Sequence, residues 1–74
     1  MGNELLSPKQ YDELVIVLHE LKQLGYSTMF LSRRLGINSS TFWYYTKGKR
    51  NCPVEVLDRL KEFLEHEKNF NNER

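Results

Sequence analysis

The segment Ser27-Thr28-Met29-Phe30-Leu31-Ser32-Arg33-Arg34-Leu35-Gly36-Ile37-Asn38-Ser39-Ser40-Thr41-Phe42-Trp43-Tyr44-Tyr45 holds two short helical patterns separated by a tight turn. Ser27 is an N-cap candidate, and Thr28, Leu31, Ser32 and Leu35 fall on one side of a helix that Gly36 terminates. After a turn at Ile37-Asn38, a second helix begins with Ser39-Ser40-Thr41, runs to about Thr46 or Lys47 and ends at Gly48. Two helices that meet this closely need a small residue where they approach and a residue tolerant of positive φ between them. Ser32 and Gly36 supply these. Leu31, Leu35, Ile37, Phe42 and Tyr45 supply the apolar contacts that lock the pair at a steep angle. The pattern predicts a helix-turn-helix unit with its second helix presented outward.

Helices flank this pair on both sides. Upstream, Ser7-Pro8-Lys9-Gln10 is a helix start: Ser caps, Pro suits the first helical position, and Gln three residues later completes a capping box. Tyr11, Leu14, Val15, Leu18 and Leu21 recur at helical spacing on one face, and the helix closes near Leu24 ahead of Gly25. Downstream, Lys49-Arg50-Asn51-Cys52 reads as a basic loop, and Pro53 opens another helix with Glu55 in its first turn, where a negative charge complements the helix dipole. Val56, Leu57, Leu60, Phe63 and Leu64 form its apolar stripe. No segment alternates as a strand, and there is no internal repeat. The expectation is an all-α compact domain of four to five helices over residues 7–67, with a flexible tail at 1–6 and a frayed one at 68–74.

A chain of 74 residues holds one modest core, and such domains often gain stability by dimerising. The longest apolar run, Leu14-Val15-Ile16-Val17-Leu18, is far too short for a membrane span. Met1-Gly2-Asn3-Glu4 lacks the basic segment of a signal peptide, and the single cysteine, Cys52, cannot form an internal disulfide. These features point to the cytoplasm. They give no basis for a catalytic site, a cofactor or a small-molecule substrate. His19 and His66 have no companions at metal-ligand spacing, so no metal site is expected. No Ser/His/Asp or Cys/His arrangement and no Gly-rich phosphate loop is present, which argues against an enzyme.

The net charge of +1 hides an uneven distribution. From Lys22 to Val54 the charged residues are Lys22, Arg33, Arg34, Lys47, Lys49 and Arg50, with no Asp or Glu, and all ten acids lie outside this window. One positive region on an otherwise neutral or acidic body suits a polyanion. Within the second short helix, Ser40, Trp43, Tyr44 and Lys47 lie opposite the core pair Phe42 and Tyr45 and therefore point outward.

At Leu31-Ser32-Arg33-Arg34-Leu35-Gly36-Ile37-Asn38-Ser39-Ser40-Thr41-Phe42 the chain resembles the Cro/phage-repressor (XRE-type) helix-turn-helix family, whose run reads approximately Leu-Ala-x-x-Leu-Gly-Val-Ser-x-Ser-Thr-Ile. Gly48-Lys49-Arg50-Asn51-Cys52-Pro53 fits the Gly, basic residues and Pro that commonly precede the family's next helix, with one residue extra. The resemblance spans roughly residues 10–66. It implies a lambda-repressor-like fold and a sequence-specific duplex DNA-binding transcriptional regulator, a repressor type encoded by a bacterium, phage or mobile element. It further implies that Thr28 approaches a phosphate through its backbone N–H and hydroxyl. On the same footing Asn38, Ser39 and Ser40 face bases or phosphates, and Lys49 and Arg50 hold the flanking backbone.

The departures also carry information. Ser32 stands where the family usually has Ala, adding a hydroxyl to satisfy, and Thr28 where it often has the longer Gln. Trp43-Tyr44 replaces the Arg, Gln or Asn more usual on an outward recognition face. These rings either contact thymine methyls, sugars and phosphates or pack on a protein. The second alternative defines a rival reading, a protein-interaction module of antirepressor or polymerase-binding type using Phe30, Trp43 and Tyr44; an antitoxin is a third. Ile16, Met29 and Phe30 fall on helix faces away from the core and form a candidate partner surface, including for a homodimer.

Overall fold

The computed structural model describes residues 4–72. Four helices follow one another: α1 (Pro8–Gln23), α2 (Thr28–Leu35), α3 (Ser39–Thr46) and α4 (Val54–Asn72). The fold class is all-α. α1 packs along α4, and α2 packs against α3.

The helix ends fall where local chemistry puts them. At the start of α1 the Ser7 hydroxyl accepts from the Gln10 N–H at 3.3 Å, while the Gln10 side chain accepts from the Ser7 N–H at 2.9 Å, a complete capping box. Ser27 caps α2 by accepting from the Phe30 N–H at 3.1 Å. α2 and α3 share one mode of termination. In each, a glycine with left-handed backbone, Gly36 (φ 72°) and Gly48 (φ 73°), turns the chain so that two N–H groups reach back to the last turn. Gly36 and Ile37 donate to the carbonyls of Arg33 and Ser32, and Gly48 and Lys49 donate to those of Tyr45 and Tyr44.

The core is built from Leu14, Val17, Leu18 and Leu21 of α1, Leu31 and Leu35 of α2, Phe42 of α3, Cys52, and Val56, Leu57, Leu60 and Leu64 of α4. Tyr11, Ile37, Tyr45 and Phe63 pack against it half-buried. One expectation for α1 needs correction. Val15 is 45% exposed, and the buried position is Val17. In an unbroken apolar run both Val15 and Val17 keep helical spacing with Leu14 and Leu18, and the packing of α1 along α4 turns Val17 inward and leaves Val15 rotated away. Ser32 is buried, and its hydroxyl donates to the Met29 carbonyl at 2.8 Å, so the polar atom at the close approach is satisfied within its own helix.

Both proposed tails also differ from expectation. Residues 4–6 are not loose: Leu5 and Pro53 form an antiparallel bridge, the Leu6 N–H donates to the Cys52 carbonyl, and the Val54 N–H donates to the Glu4 carbonyl, both at 2.9 Å. Leu6 packs on the core, and the pairing satisfies an N–H at the start of α4 that no intrahelical carbonyl can reach. At the other end α4 continues through Asn72 rather than fraying from Lys68. No Gly or Pro interrupts the chain between Pro53 and Asn72, and Lys68 is tied to Glu20 of α1 at 2.8 Å. Residues 1–3, 73 and 74, the remainder of the expected tails, lie outside the described residues. Among the described residues no helix is long and apolar enough to cross a membrane.

Candidate nucleic-acid interface

α3 is eight residues long and gives only Phe42 wholly to the core. Tyr45 packs half-buried beside it, and hydrogen bonds secure both ends of the helix. The Tyr11 hydroxyl of α1 donates to the Thr46 carbonyl at 2.8 Å, and the Thr46 hydroxyl donates to the Trp43 carbonyl at 2.8 Å. At its start, the Asn38 side-chain carbonyl accepts from the Ser40 N–H at 2.8 Å. Asn38, expected at a base or phosphate, is thus engaged as the N-cap of α3, leaving its side-chain NH₂ outside that bond.

With Phe42 inward, Ser39, Ser40, Trp43, Tyr44 and Lys47 are exposed. Thr28 and Met29 at the front of α2 meet Ser39, Ser40, Trp43 and Tyr44 of α3 across an open groove of about 410 Å³. The sequence-derived set of Thr28, Ser39, Ser40, Trp43 and Tyr44 therefore shares one surface. Its rings meet edge to face, with centroids 5.4 Å apart and an interplanar angle of 75°. Lys47 Nζ lies 5.8 Å from the Trp43 centroid, and the Arg50 guanidinium lies 5.7 Å from that of Tyr44. These contacts bring two cations beside the rings that wall the groove. Lys49 is exposed, and its backbone N–H is bonded to the Tyr44 carbonyl at 2.9 Å.

The acid-free window is sorted by the fold. Lys22 of α1 joins Lys47 in a cleft with Val15, Leu18, His19 and Thr46, so it belongs with the α3 cations although sequence spacing alone did not single it out. Arg34 leaves them, its guanidinium lying 4.5 Å from the Phe63 ring of α4. Among the described residues the ion pairs are Lys61–Glu13 and Lys68–Glu20, both between α1 and α4. Lys22, Lys47, Lys49 and Arg50 have no carboxylate partner there. A positive potential left unneutralised beside an acid-free groove attracts a polyanion.

The three candidate partner residues separate. Met29 lines the groove, Phe30 stacks on Tyr26 at 5.2 Å, and Ile16 is exposed on α1. Tyr26 in turn meets Phe63 edge-on at 5.0 Å and donates its hydroxyl to Glu67 at 2.7 Å. Phe30 thus belongs to an aromatic cluster between α2 and α4 rather than to the Trp43–Tyr44 groove.

Cys52 and Tyr26, away from the groove, are shifted by their surroundings. Burial pushes the Cys52 thiol up to about 11, which leaves it protonated and unreactive at neutral pH. The hydrogen bond to Glu67, then burial, raises Tyr26 above its ordinary value. No group of three or more His, Cys, Asp or Glu side chains suited to a metal forms among the described residues. Comparison with protein-family models, with curated proteins and with solved structures finds no match for this chain.

Proposed function

We propose that this chain is a duplex DNA-binding transcriptional regulator in which α2 and α3 act as a helix-turn-helix. α3 enters the major groove while Lys22, Lys47, Lys49 and Arg50 hold phosphates. One observation carries the reading: the groove between the front of α2 and the outward face of α3 contains no acid, and two cations lie against its aromatic wall. An α-helix fits the major groove, and an eight-residue helix spans roughly 12 Å, enough for several base pairs. Regulation is steric, since occupancy of a site blocks or recruits polymerase. A phage, mobile-element or bacterial repressor acting in the cytoplasm is the setting that the resemblance to the Cro/phage-repressor family supports. If two copies bind together, half-sites lie about one helical turn, roughly 34 Å, apart.

The rival reading, a protein-interaction module, draws on the exposed rings of Phe30, Trp43 and Tyr44. The separation of Phe30 from the other two weakens it, because no single aromatic face unites all three.

Fluorescence anisotropy of a labelled random duplex, titrated with the protein at low and rising salt, tests the proposal. Binding at low salt is expected to fall linearly on a log–log plot, because each neutralised phosphate contributes a slope of about −0.9. Absence of binding to any duplex at low salt rejects it in favour of the interaction module.

A further inference from the structure

We infer that the α2–α3 groove recognises the C5-methyl groups of thymine in the major groove; this deepens, and rests on, the duplex-binding proposal above. Guanine is read in the major groove by bidentate Arg or Lys, and adenine by bidentate Asn or Gln. None of these types lines the groove, whose walls are Thr28, Met29, Ser39, Ser40, Trp43 and Tyr44. The nearest candidates do not line it: the Asn38 side-chain carbonyl holds the Ser40 N–H, and Lys47 and Arg50 lie beside the two rings, placed for phosphates rather than for a base edge.

What the groove offers instead is apolar surface. Met29 is 57% exposed, Trp43 45% and Tyr44 40%. Such surface gains by covering a hydrophobic group, and the thymine methyl is the apolar substituent that a base edge presents in the major groove. The cations beside the rings favour a polyanion as the occupant over an apolar protein face, since a protein seated there would have to leave Lys47 and Arg50 unpaired or supply acids to meet them. The ring geometry favours a duplex over a single strand. Successive unpaired bases stack on flat aromatic faces, whereas Trp43 and Tyr44 stand at 75° to one another and form an angled wall. Ser39 and Ser40 are neutral in base choice, because a hydroxyl both donates and accepts.

The experiment uses the whole chain and two forms of one DNA pool. Duplexes bound from a random pool are amplified once with thymidine triphosphate and once with deoxyuridine triphosphate, which removes the methyl and nothing else. Affinity for the uracil form is expected to fall about fourfold for each methyl covered, as the loss of one buried carbon implies. Trp43→Ser and Tyr44→Ser both change exposed side chains, so the fold should persist by circular dichroism, and the thymine-to-uracil ratio should move toward one in at least one of them. Equal affinity for the two forms, with duplex binding intact, overturns this inference and leaves the DNA-binding proposal standing. A ratio that survives in both variants also overturns it. Binding to no duplex, or tighter binding to the separated strands than to the duplex, overturns the DNA-binding proposal itself.

Discussion

Gly36 and Gly48 provide a matched pair of perturbations. Their φ angles are nearly identical, 72° and 73°, and each terminates a helix of the α2–α3 pair. Alanine in this left-handed region costs roughly 1–2 kcal/mol through crowding of its Cβ against the following carbonyl. The surroundings differ. A methyl added at Gly36 meets nothing within 4 Å, whereas at Gly48 it meets the Tyr11 hydroxyl oxygen at 3.1 Å and the ring Cζ at 3.3 Å. That hydroxyl is bonded to the Thr46 carbonyl at 2.8 Å, so the ring can give way only by stretching the bond that clasps α3 to α1. Such a bond contributes about 1 kcal/mol net. Gly36→Ala should therefore lose the backbone term alone, and Gly48→Ala should lose about 1 kcal/mol more. In a domain of this size that difference separates the two melting temperatures by roughly 4–8 °C. Thermal unfolding followed by circular dichroism reads it directly. Tyr11→Phe removes the nearer of the two crowding atoms together with the hydrogen bond. In that background Gly48→Ala should cost about what Gly36→Ala costs, a coupling that a double-mutant cycle measures. Equal losses for the two alanine variants in the parent chain would show that Tyr11 does not hold the end of α3.

Other outcomes follow from the same geometry. Phe42→Ala removes the only α3 side chain wholly committed to the core and should cost about 3–5 kcal/mol, enough in so small a domain to lower the urea midpoint sharply or abolish a cooperative transition. Cys52, with its thiol raised to about 11 by burial, should react with iodoacetamide at pH 8 only as fast as the chain opens, and at once in denaturant; fast native labelling would contradict its burial. The Tyr26 hydroxyl is raised by its bond to Glu67 and by burial, so its contribution is present below pH 10 and is lost as pH climbs through the raised value. Melting temperature measured from pH 9 upward should fall more steeply in the parent chain than in Tyr26→Phe. Replacing Lys49 and Arg50 together by Ala should weaken binding to every duplex alike and flatten the salt dependence by about 0.9 per lost phosphate contact, whereas Trp43→Ala or Tyr44→Ala should shift sequence preference. Identical behaviour of the two classes would argue against α3 as the base-reading element.

Helix starts and stops were legible because they are written locally. Ser7 with Gln10, Ser27 and Gly36 act within four residues of their own positions, and each does in the fold what its chemistry predicts. The outward set on α3 was legible for a related reason, since placing Phe42 inward determines where Ser40, Trp43, Tyr44 and Lys47 point. Contacts between distant segments were not legible. Whether Val15 or Val17 is buried depends on where α4 lies against α1, and periodicity in an unbroken apolar run leaves both open. The pairing of residues 4–6 with residues 52–54 has no periodic signature, because a single bridge is too short to show alternation. The cations look equivalent along the chain, yet Arg34 turns to Phe63 while Lys22 arrives beside Lys47 from another helix. Asn38 was read as a turn residue and a contact, and its role as the cap of α3 emerges only from its position relative to Ser40.

These long-range contacts explain how so short a helix can leave most of its surface free. An isolated eight-residue helix is unstable in water, since nucleation is costly and each further residue adds little. α3 buries one ring fully, Phe42, with Tyr45 half-buried beside it, so its persistence rests largely on further supports: the Asn38 cap at its start, the Tyr11 clasp and the Gly48 turn at its end. The loop beyond is fastened in turn by the pairing of residues 4–6 with Cys52 and Val54. The supports at the C-terminal end are the same atoms that place Lys47, Lys49 and Arg50. Lys47 follows the last helical residue, Lys49 donates its N–H into the closing turn, and the loop carrying Arg50 lies against Tyr11 and Leu6. Position of the cations and stability of the helix are therefore one property of this chain. A change that loosens Tyr11 or residues 4–6 should weaken duplex binding in proportion to the stability it removes, even though neither touches the groove.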